Sequence, residues 1–96
     1  MEEELIEAVY LAIDEITKSF ASDRVRIRLR KDFYPAFLSK LKQKDLITLE
    51  VSERFAYSLL KSLTILKEDP DKPRTFILYK SEWEKFLKNY LEEKRK

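Results

Sequence analysis

The chain contains no cysteine, no histidine and no glycine among its 96 residues. Without cysteine it has no disulfide framework, no thiolate metal site and no thiol redox chemistry. Without histidine and glycine it cannot build a histidine-based catalytic triad, a histidine-ligated zinc site or a glycine-rich phosphate loop. We therefore expect a protein that is not an enzyme and that uses no cofactor or metal.

Thermolabile side chains and long apolar runs are also scarce. Glutamine and asparagine occur once each, at Gln43 and Asn89, beside 20 basic and 18 acidic residues. This balance is typical of hyperthermophile proteins, and we expect a heat-loving archaeal source. No apolar run is long enough to span a bilayer, and three glutamates follow Met1 where a signal peptide would carry positive charge. The sequence therefore predicts a cytoplasmic protein without a membrane segment.

The length and the 44% apolar content suffice for one packed core, so we expect a single domain over residues 1–96. The net charge of +2 hides a strong segregation. Residues 1–23 carry seven acids against one lysine, whereas residues 24–48 carry eight bases against two acids. The second quarter of the chain is therefore a candidate anion-binding surface.

Apolar spacing predicts the element order αβαβαββα. We expect helices over residues 2–20 and 32–44, a third helix capped by Ser52 and a last helix that begins with a capping box of Ser81 and Glu84. Asp32 is the expected cap of the second helix. Strands are expected over residues 24–30, 46–51, 63–68 and 74–80, and the turn from Asp69 to Pro73 joins the last two into a hairpin. The predicted fold class is α+β, with a four-stranded sheet covered by helices.

Residues 24–30 alternate arginine with branched apolar side chains. In a strand this pattern places every arginine on one face, about 6.6 Å apart, which is close to the phosphate spacing of an extended nucleic acid strand. The segment that follows adds lysines and aromatic rings on which bases can stack. The pattern predicts low-specificity binding of single-stranded nucleic acid, DNA in preference to RNA, through Arg24, Arg26, Arg28, Arg30, Lys31, Phe33, Tyr34, Phe37 and Lys40. The alternative is structural, because arginine-rich strand faces also form ion-pair networks and both phenylalanines suit a core.

A winged helix with long terminal helices is the alternative architecture. In it, the third helix would enter the major groove of duplex DNA with Arg54, Tyr57, Ser58 and Lys61, and the hairpin would form the wing with Lys72 and Arg74. The departure from this pattern is the segment between the second and third helices, where about seven residues with strand periodicity replace the expected turn of three or four.

Part of the chain resembles the archaeal single-stranded DNA-binding proteins called ThermoDBP. The resemblance covers RVRIRLRKDFYPAFLSKL from Arg24 and ITLEVSERFAYSLLKSL from Ile47. It implies a cleft lined by Phe33 and Phe37 and flanked by the four arginines of residues 24–30. It also implies an oligomer, although the long coiled-coil tail of the larger members is missing.

Wide apolar stripes on the first and last helices likewise favour a homo-oligomer, in which the acidic quarter of one subunit meets a basic surface of another. A third hypothesis for the function is therefore an assembly subunit whose arginines pair only with protein carboxylates.

Overall fold

The structure is a computed structural model that describes residues 2–46 and 51–95. These residues form a mixed α+β fold with four α-helices and three short β-strands. A π-helical turn over Leu29–Phe33 joins the first strand to the second helix. In chain order the elements are α1 (Glu2–Lys18), β1 (Arg24–Arg28), α2 (Tyr34–Gln43), α3 (Glu53–Lys61), β2 (Lys67–Glu68), β3 (Thr75–Tyr79) and α4 (Lys80–Lys94).

The three strands form one antiparallel sheet in which β3 lies between β1 and β2. Arg26 of β1 and Lys67 of β2 are both paired with Ile77, from opposite sides. The predicted hairpin is confirmed, although its first strand extends only over Lys67–Glu68. The prediction of a four-stranded sheet is not confirmed, and residues 47–50 of the strand expected at 46–51 lie outside the described residues.

The alternation in β1 places its apolar side chains in the core and its arginines in solvent. Val25 and Ile27 are fully buried. The strand ends at Arg28, whose backbone N–H donates to Oδ2 of Asp32 at 2.8 Å. Asp32 thus closes the π-helical turn, and its predicted role as the cap of α2 is wrong. The helix α2 begins instead at Tyr34, with Pro35 in its first turn, where proline is tolerated.

The core lies between the inner face of the sheet and the helices. Phe33 and Phe37 are fully buried there, with their rings stacked at a centroid distance of 5.1 Å. The remaining core residues are apolar side chains from every helix and from β1 and β3, namely Ala8, Val9, Ala12, Ile13, Ile16, Val25, Ile27, Leu29, Leu41, Ala56, Leu60, Leu66, Phe76, Leu78 and Trp83.

Aromatic contacts pack α4 against α1 in an antiparallel arrangement. The Tyr10 ring makes edge contacts with the rings of Trp83, Phe86 and Tyr90 at centroid distances of 5.9, 5.3 and 4.7 Å. Trp83 is fully buried, and its indole N–H donates to Oδ1 of Asp14 at 3.1 Å. Each aromatic pair contributes about 0.5–1.5 kcal/mol beyond its area burial, so this cluster fixes both terminal helices to each other.

Acids of α1 meet lysines at the C-terminal end of α2 along a seam that we call the α1–α2 boundary, made of Glu7, Glu15, Lys40 and the C-cap residue Lys44. The Nζ of Lys40 lies 3.2 Å from Oε1 of Glu15, and the Nζ of Lys44 lies 2.7 Å from Oε1 of Glu7. Much of the charge segregation in the sequence is therefore neutralised within one chain, where we had expected the acidic quarter to contact a second subunit.

Two of the predicted helix starts have different outcomes. Ser52 caps α3 as predicted, because its Oγ accepts from the N–H of Phe55 at 3.1 Å. The capping box of Ser81 is not formed, because α4 begins one residue earlier, at Lys80. The carboxylate of Asp23, in the loop between α1 and β1, performs the same task by accepting the backbone N–H of Ser81 at 2.9 Å.

Candidate functional site

The exposed side of the sheet carries the first group of predicted site residues. We call it the outer sheet face, and it consists of Arg24, Arg26, Arg28, Lys67, Thr75, Ile77 and Tyr79. Arg24 is paired with Tyr79 and Arg26 with Ile77 in the antiparallel register. Tyr79 is 43% exposed, and its direct partner in the register is Arg24. The face thus combines positive charge with an accessible aromatic ring.

The four arginines of residues 24–30 differ in their exposure and in their ion pairs. Arg24 and Arg26 are exposed and make no ion pair within the described residues. Arg28 forms two hydrogen bonds to Asp32, at 3.0 and 3.3 Å. Arg30 lies in the π-helical turn and binds the carboxylate of Glu53 at 3.1–3.3 Å. These bonds raise the pKa of both paired guanidinium groups, and the expectation of four free arginines on one strand face is wrong.

The predicted aromatic platform is also corrected by the structure. Phe33 and Phe37 are stacked on each other in the core, so neither ring has a face that a base could reach. Tyr34 is half-buried, and its hydroxyl donates to the carbonyl oxygen of Val51 at 2.7 Å. Lys40 is held at the α1–α2 boundary, while Lys31 is exposed in the π-helical turn. Of the segment 31–40, only Lys31 is therefore free to meet an anion.

A second surface lies between α3 and the β2–β3 hairpin. We call it the α3 cleft, an open depression of about 530 Å³ lined by Leu29, Glu53, Arg54, Tyr57 and Arg74. Arg54 is exposed, and Glu53 is already neutralised by Arg30. Further along α3, the Nζ of the exposed Lys61 lies 5.4 Å from the centre of the Tyr57 ring. The structure thus brings the three predicted α3 residues, Arg54, Tyr57 and Lys61, beside the hairpin.

Glu68 connects the hairpin to α3. Its carboxylate accepts the backbone N–H of Arg74 at 2.8 Å and the hydroxyl of Tyr57 at 2.8 and 2.9 Å. The backbone hydrogen bond from Arg74 is the main cause that lowers the pKa of Glu68, and the Tyr57 hydroxyl lowers it further. Arg74 has a left-handed backbone, with φ of 65°, and the Glu68 bond helps to hold this conformation. One carboxylate therefore positions the helix and the hairpin relative to each other.

The sequence pattern gave no role to Tyr79 or Glu68. The period-2 alternation of β3 would place Tyr79 on the same face as Thr75 and Ile77, but only the strand register brings it beside Arg24. Glu68 has no local signal, because its partners lie 11 and 6 residues away.

No family model, curated protein or solved structure matches the chain. The resemblance to the ThermoDBP proteins therefore stays a prediction. No helix in residues 2–46 and 51–95 is long and apolar enough to span a bilayer. The same residues contain no group of three or more acidic side chains arranged to hold a metal ion.

Proposed function

We propose that this protein is a non-catalytic DNA-binding protein that binds duplex DNA with α3 in the major groove and the β2–β3 hairpin on the adjacent backbone. The order helix, strand, helix, helix and hairpin is that of the winged helix given above as the alternative architecture. Placement of β1 alongside β3 also fits that arrangement. An α-helix with its side chains is about 10–12 Å wide and fits the major groove, which is about 12 Å wide.

The observation that carries this proposal is the α3 cleft. Arg54 on the helix and Arg74 on the hairpin line the same depression, and Lys61 extends the positive charge along α3. Because Glu53 is paired with Arg30 and Glu68 with backbone and hydroxyl donors, the acids of this surface are already hydrogen-bonded. A phosphate backbone would therefore meet Arg54, Arg74 and Lys61 here, while Glu68, whose donors are neutral, keeps its negative charge.

The main expectation from the sequence, single-strand binding by a four-arginine face with a phenylalanine cleft, has less support as the principal function. Both phenylalanines are buried, and two of the four arginines are paired with carboxylates. Arg24, Arg26 and Tyr79 are the exposed residues of that surface.

Titration of a labelled duplex and of an oligo-dT of equal length, at two salt concentrations, tests the proposal. We expect preference for the duplex, and we expect the double variant Arg54→Ala/Lys61→Ala to bind it about tenfold more weakly. Loss of two phosphate contacts would lower the slope of log K against log salt by about 1.8. The matched control is Lys42→Ala/Lys88→Ala, which removes the same charge from exposed positions outside the α3 cleft.

Equal weakening by the two double variants would contradict a specific role for α3. Absence of binding to either oligonucleotide at low salt would instead favour the assembly subunit. The homo-oligomer stays a prediction, in which exposed Ile6 of α1 and Leu91 of α4 would become covered. Light scattering at several protein concentrations measures it directly.

A further inference from the structure

We propose that the open edge of β1 is a docking site for a short, extended, acidic segment of a partner protein, which adds a strand to the sheet. We call this site the β1 edge, made of the backbone of Arg24–Arg28 on the side away from β3. The proposal goes beyond the proposed function, because it concerns a protein partner and a different surface. It rests on open backbone groups, on the arginine side chains beside them and on an apolar depression.

The backbone of β1 alternates between groups that bind β3 and groups that point away from it. Leu29 donates its N–H to the carbonyl oxygen of Arg74 at 2.9 Å, which fixes the phase of the ladder. In an antiparallel ladder the odd-numbered residues of β1 then bond to β3, and the even-numbered ones point outward. The N–H of Arg28 accordingly donates to Asp32. The N–H and C=O of Arg26 have no partner beyond the ladder in the part of the chain that the structure describes.

The ends of the β1 edge are closed, so the site takes a strand of only a few residues. At one end the Ser22 hydroxyl donates to the carbonyl oxygen of Arg24 at 3.0 Å. At the other end the carboxylate of Asp32 accepts the N–H of Arg28. An incoming strand would lie about 4.8 Å from β1 and form its hydrogen bonds with Arg26. Such main-chain bonds supply the affinity when a peptide adds to an open sheet edge.

The side chains of the β1 edge select an acidic strand. Opposite residues of neighbouring strands project their side chains from the same face, so an added strand presents alternate side chains to Arg24 and Arg26. Both guanidinium groups are exposed and without ion pairs in residues 2–46 and 51–95. Opposite charges at such positions stabilise strand pairing, and like charges destabilise it. A second copy joined through the same edge would place arginine against arginine, so the charges favour a different, acidic protein.

The other side chains of an added strand would meet an apolar depression of about 430 Å³, whose apolar lining is Ile16, Phe20, Pro35 and Ala36. Asp32 lines it as well, so the depression borders the β1 edge. Because α1 and α2 pack on the inner face of the sheet, the depression lies on the side opposite the arginines. The matching partner is therefore a segment in which acidic residues alternate with apolar ones.

The charged groups around the depression are either paired or positive. Its two acids, Glu15 and Asp32, are paired with Lys40 and Arg28. Lys31 also lines the depression, and it is exposed. The unpaired charge beside the β1 edge therefore suits an acidic partner.

Anisotropy titrations with labelled synthetic peptides test the proposal. The probe is a peptide of about seven residues in which glutamate alternates with valine, and the control has the same residues with the glutamates grouped together. We expect the probe to bind about tenfold more tightly, since only alternation places acids and apolar groups on opposite faces of a strand. Arg24→Ala/Arg26→Ala should weaken its binding about fivefold through loss of two cross-strand charge pairs, while Lys42→Ala/Lys88→Ala, at exposed positions elsewhere, should not.

N-methylation of the peptide separates strand addition from simple charge attraction. A strand directs alternate N–H groups to opposite edges, so only one alternate set can bind to Arg26. One peptide is methylated on its glutamate nitrogens and another on its valine nitrogens, and we expect one of them to lose binding while the other binds like the parent. Arg26→Pro should also abolish binding, because it removes the open N–H without removing a bond to β3.

No binding of the alternating peptide, equal binding of the alternating and grouped peptides, or equal behaviour of the two methylated peptides would each overturn the proposal. The β1 edge shares no residue with the α3 cleft, so its failure is distinct from failure of the proposed function. Arg54→Ala/Lys61→Ala should leave peptide binding unchanged. Arg26→Pro should leave duplex binding unchanged, and its far-ultraviolet circular dichroism checks that the variant is folded.

Discussion

The α1–α2 boundary and the outer sheet face draw on the same basic quarter of the sequence, yet their charges serve different purposes. Lys40 and Lys44 of the boundary are held by Glu15 and Glu7 of α1. Arg24 and Arg26 of the sheet face have no such partners within residues 2–46 and 51–95. Before folding, all four residues belong to one indistinguishable positive segment.

The difference teaches that charge segregation along a chain does not by itself indicate a ligand. The acidic helix lies against α2, so the boundary lysines are neutralised by packing. The arginines of β1 point away from the core because the strand alternates, and no acidic element covers that side in the described residues. The position of a charge relative to the core, and not the local charge density, therefore selects the candidate surface.

The largest expected effect is a difference in the free energy of unfolding between removal of a buried aromatic ring and removal of the exposed one. Phe37→Ala should lower the free energy of unfolding by about 3–5 kcal/mol, because it removes a fully buried ring and leaves a cavity. Tyr79→Leu should change it by less than about 1 kcal/mol, since the residue is exposed and makes no side-chain cap for α4. Urea unfolding measures both, and equal losses would place Tyr79 among the structural residues.

A medium effect is expected at the α1–α2 boundary. Glu7 accepts hydrogen bonds from Lys44 at the C-cap of α2 and from Lys94 of α4, so Glu7→Gln should lower the free energy of unfolding by about 1 kcal/mol. In a domain of this size that corresponds to a fall in Tm of about 4–8 °C. Glu3→Gln, at an exposed position of the same helix, is the control. A change no larger than that of the control would mean that the boundary pairs contribute nothing to stability.

Acid should lower the free energy of unfolding by protonating the hydrogen-bonded carboxylates of Glu7 and Glu68. Hydrogen bonds from Lys44 and then Lys94 lower the pKa of Glu7 below its ordinary value of 4.5, and the Arg74 backbone N–H lowers that of Glu68. Between the unfolded and folded pKa values the unfolded chain binds more protons, so this stabilisation is complete above the unfolded pKa and is lost as the pH falls through the folded values. Thermal melts from pH 6 down to pH 2 should show a shallower decline in the Glu68→Gln variant, and identical slopes would contradict the assignment.

The smallest effect is expected on the outer sheet face. Arg24→Ala/Arg26→Ala should leave the free energy of unfolding within about 0.5 kcal/mol of the wild type, because surface substitutions without partners change stability little. Together with weakened binding of the alternating peptide, this would show that the two arginines act on a ligand and not on the fold. Substantial destabilisation would instead assign them to structural pairs.

Local signals in the sequence predicted much of this architecture. The start of α3 after Ser52 was predictable because the hydrogen bond that caps it joins two residues only three positions apart in the sequence. The alternation of β1 likewise fixed the directions of Val25 and Arg26. The predicted N-cap of α4, Ser81, lies two residues beyond the observed one, Tyr79, because the carboxylate that binds the first turn belongs to Asp23, in a loop distant in sequence.

The site was less predictable because it depends on pairings between distant segments. Arg30 is not available on the strand face because its guanidinium group donates a hydrogen bond to Glu53, 23 residues away. The burial of Phe33 and Phe37 depends on where the π-helical turn directs α2, and the exposure of Tyr79 beside Arg24 depends on the strand register. The helical spacing of Phe33 and Phe37 is compatible with a core, but the ion pair of Arg30 and the register of Tyr79 have no period or spacing that a single sequence displays.

Arg74 of the hairpin has a left-handed backbone, so a glycine substitution there can separate the contribution of its backbone from that of its side chain. A non-glycine residue in that conformation is strained by about 1–2 kcal/mol, and a glycine would relieve the strain while giving the unfolded chain extra freedom of about 0.5–1 kcal/mol. The relief of strain is the larger of the two effects, so Arg74→Gly would leave the turn at least as stable as before. Folding thus has little use for an arginine at this corner, and what the side chain contributes is a cation at the rim of the depression beside α3.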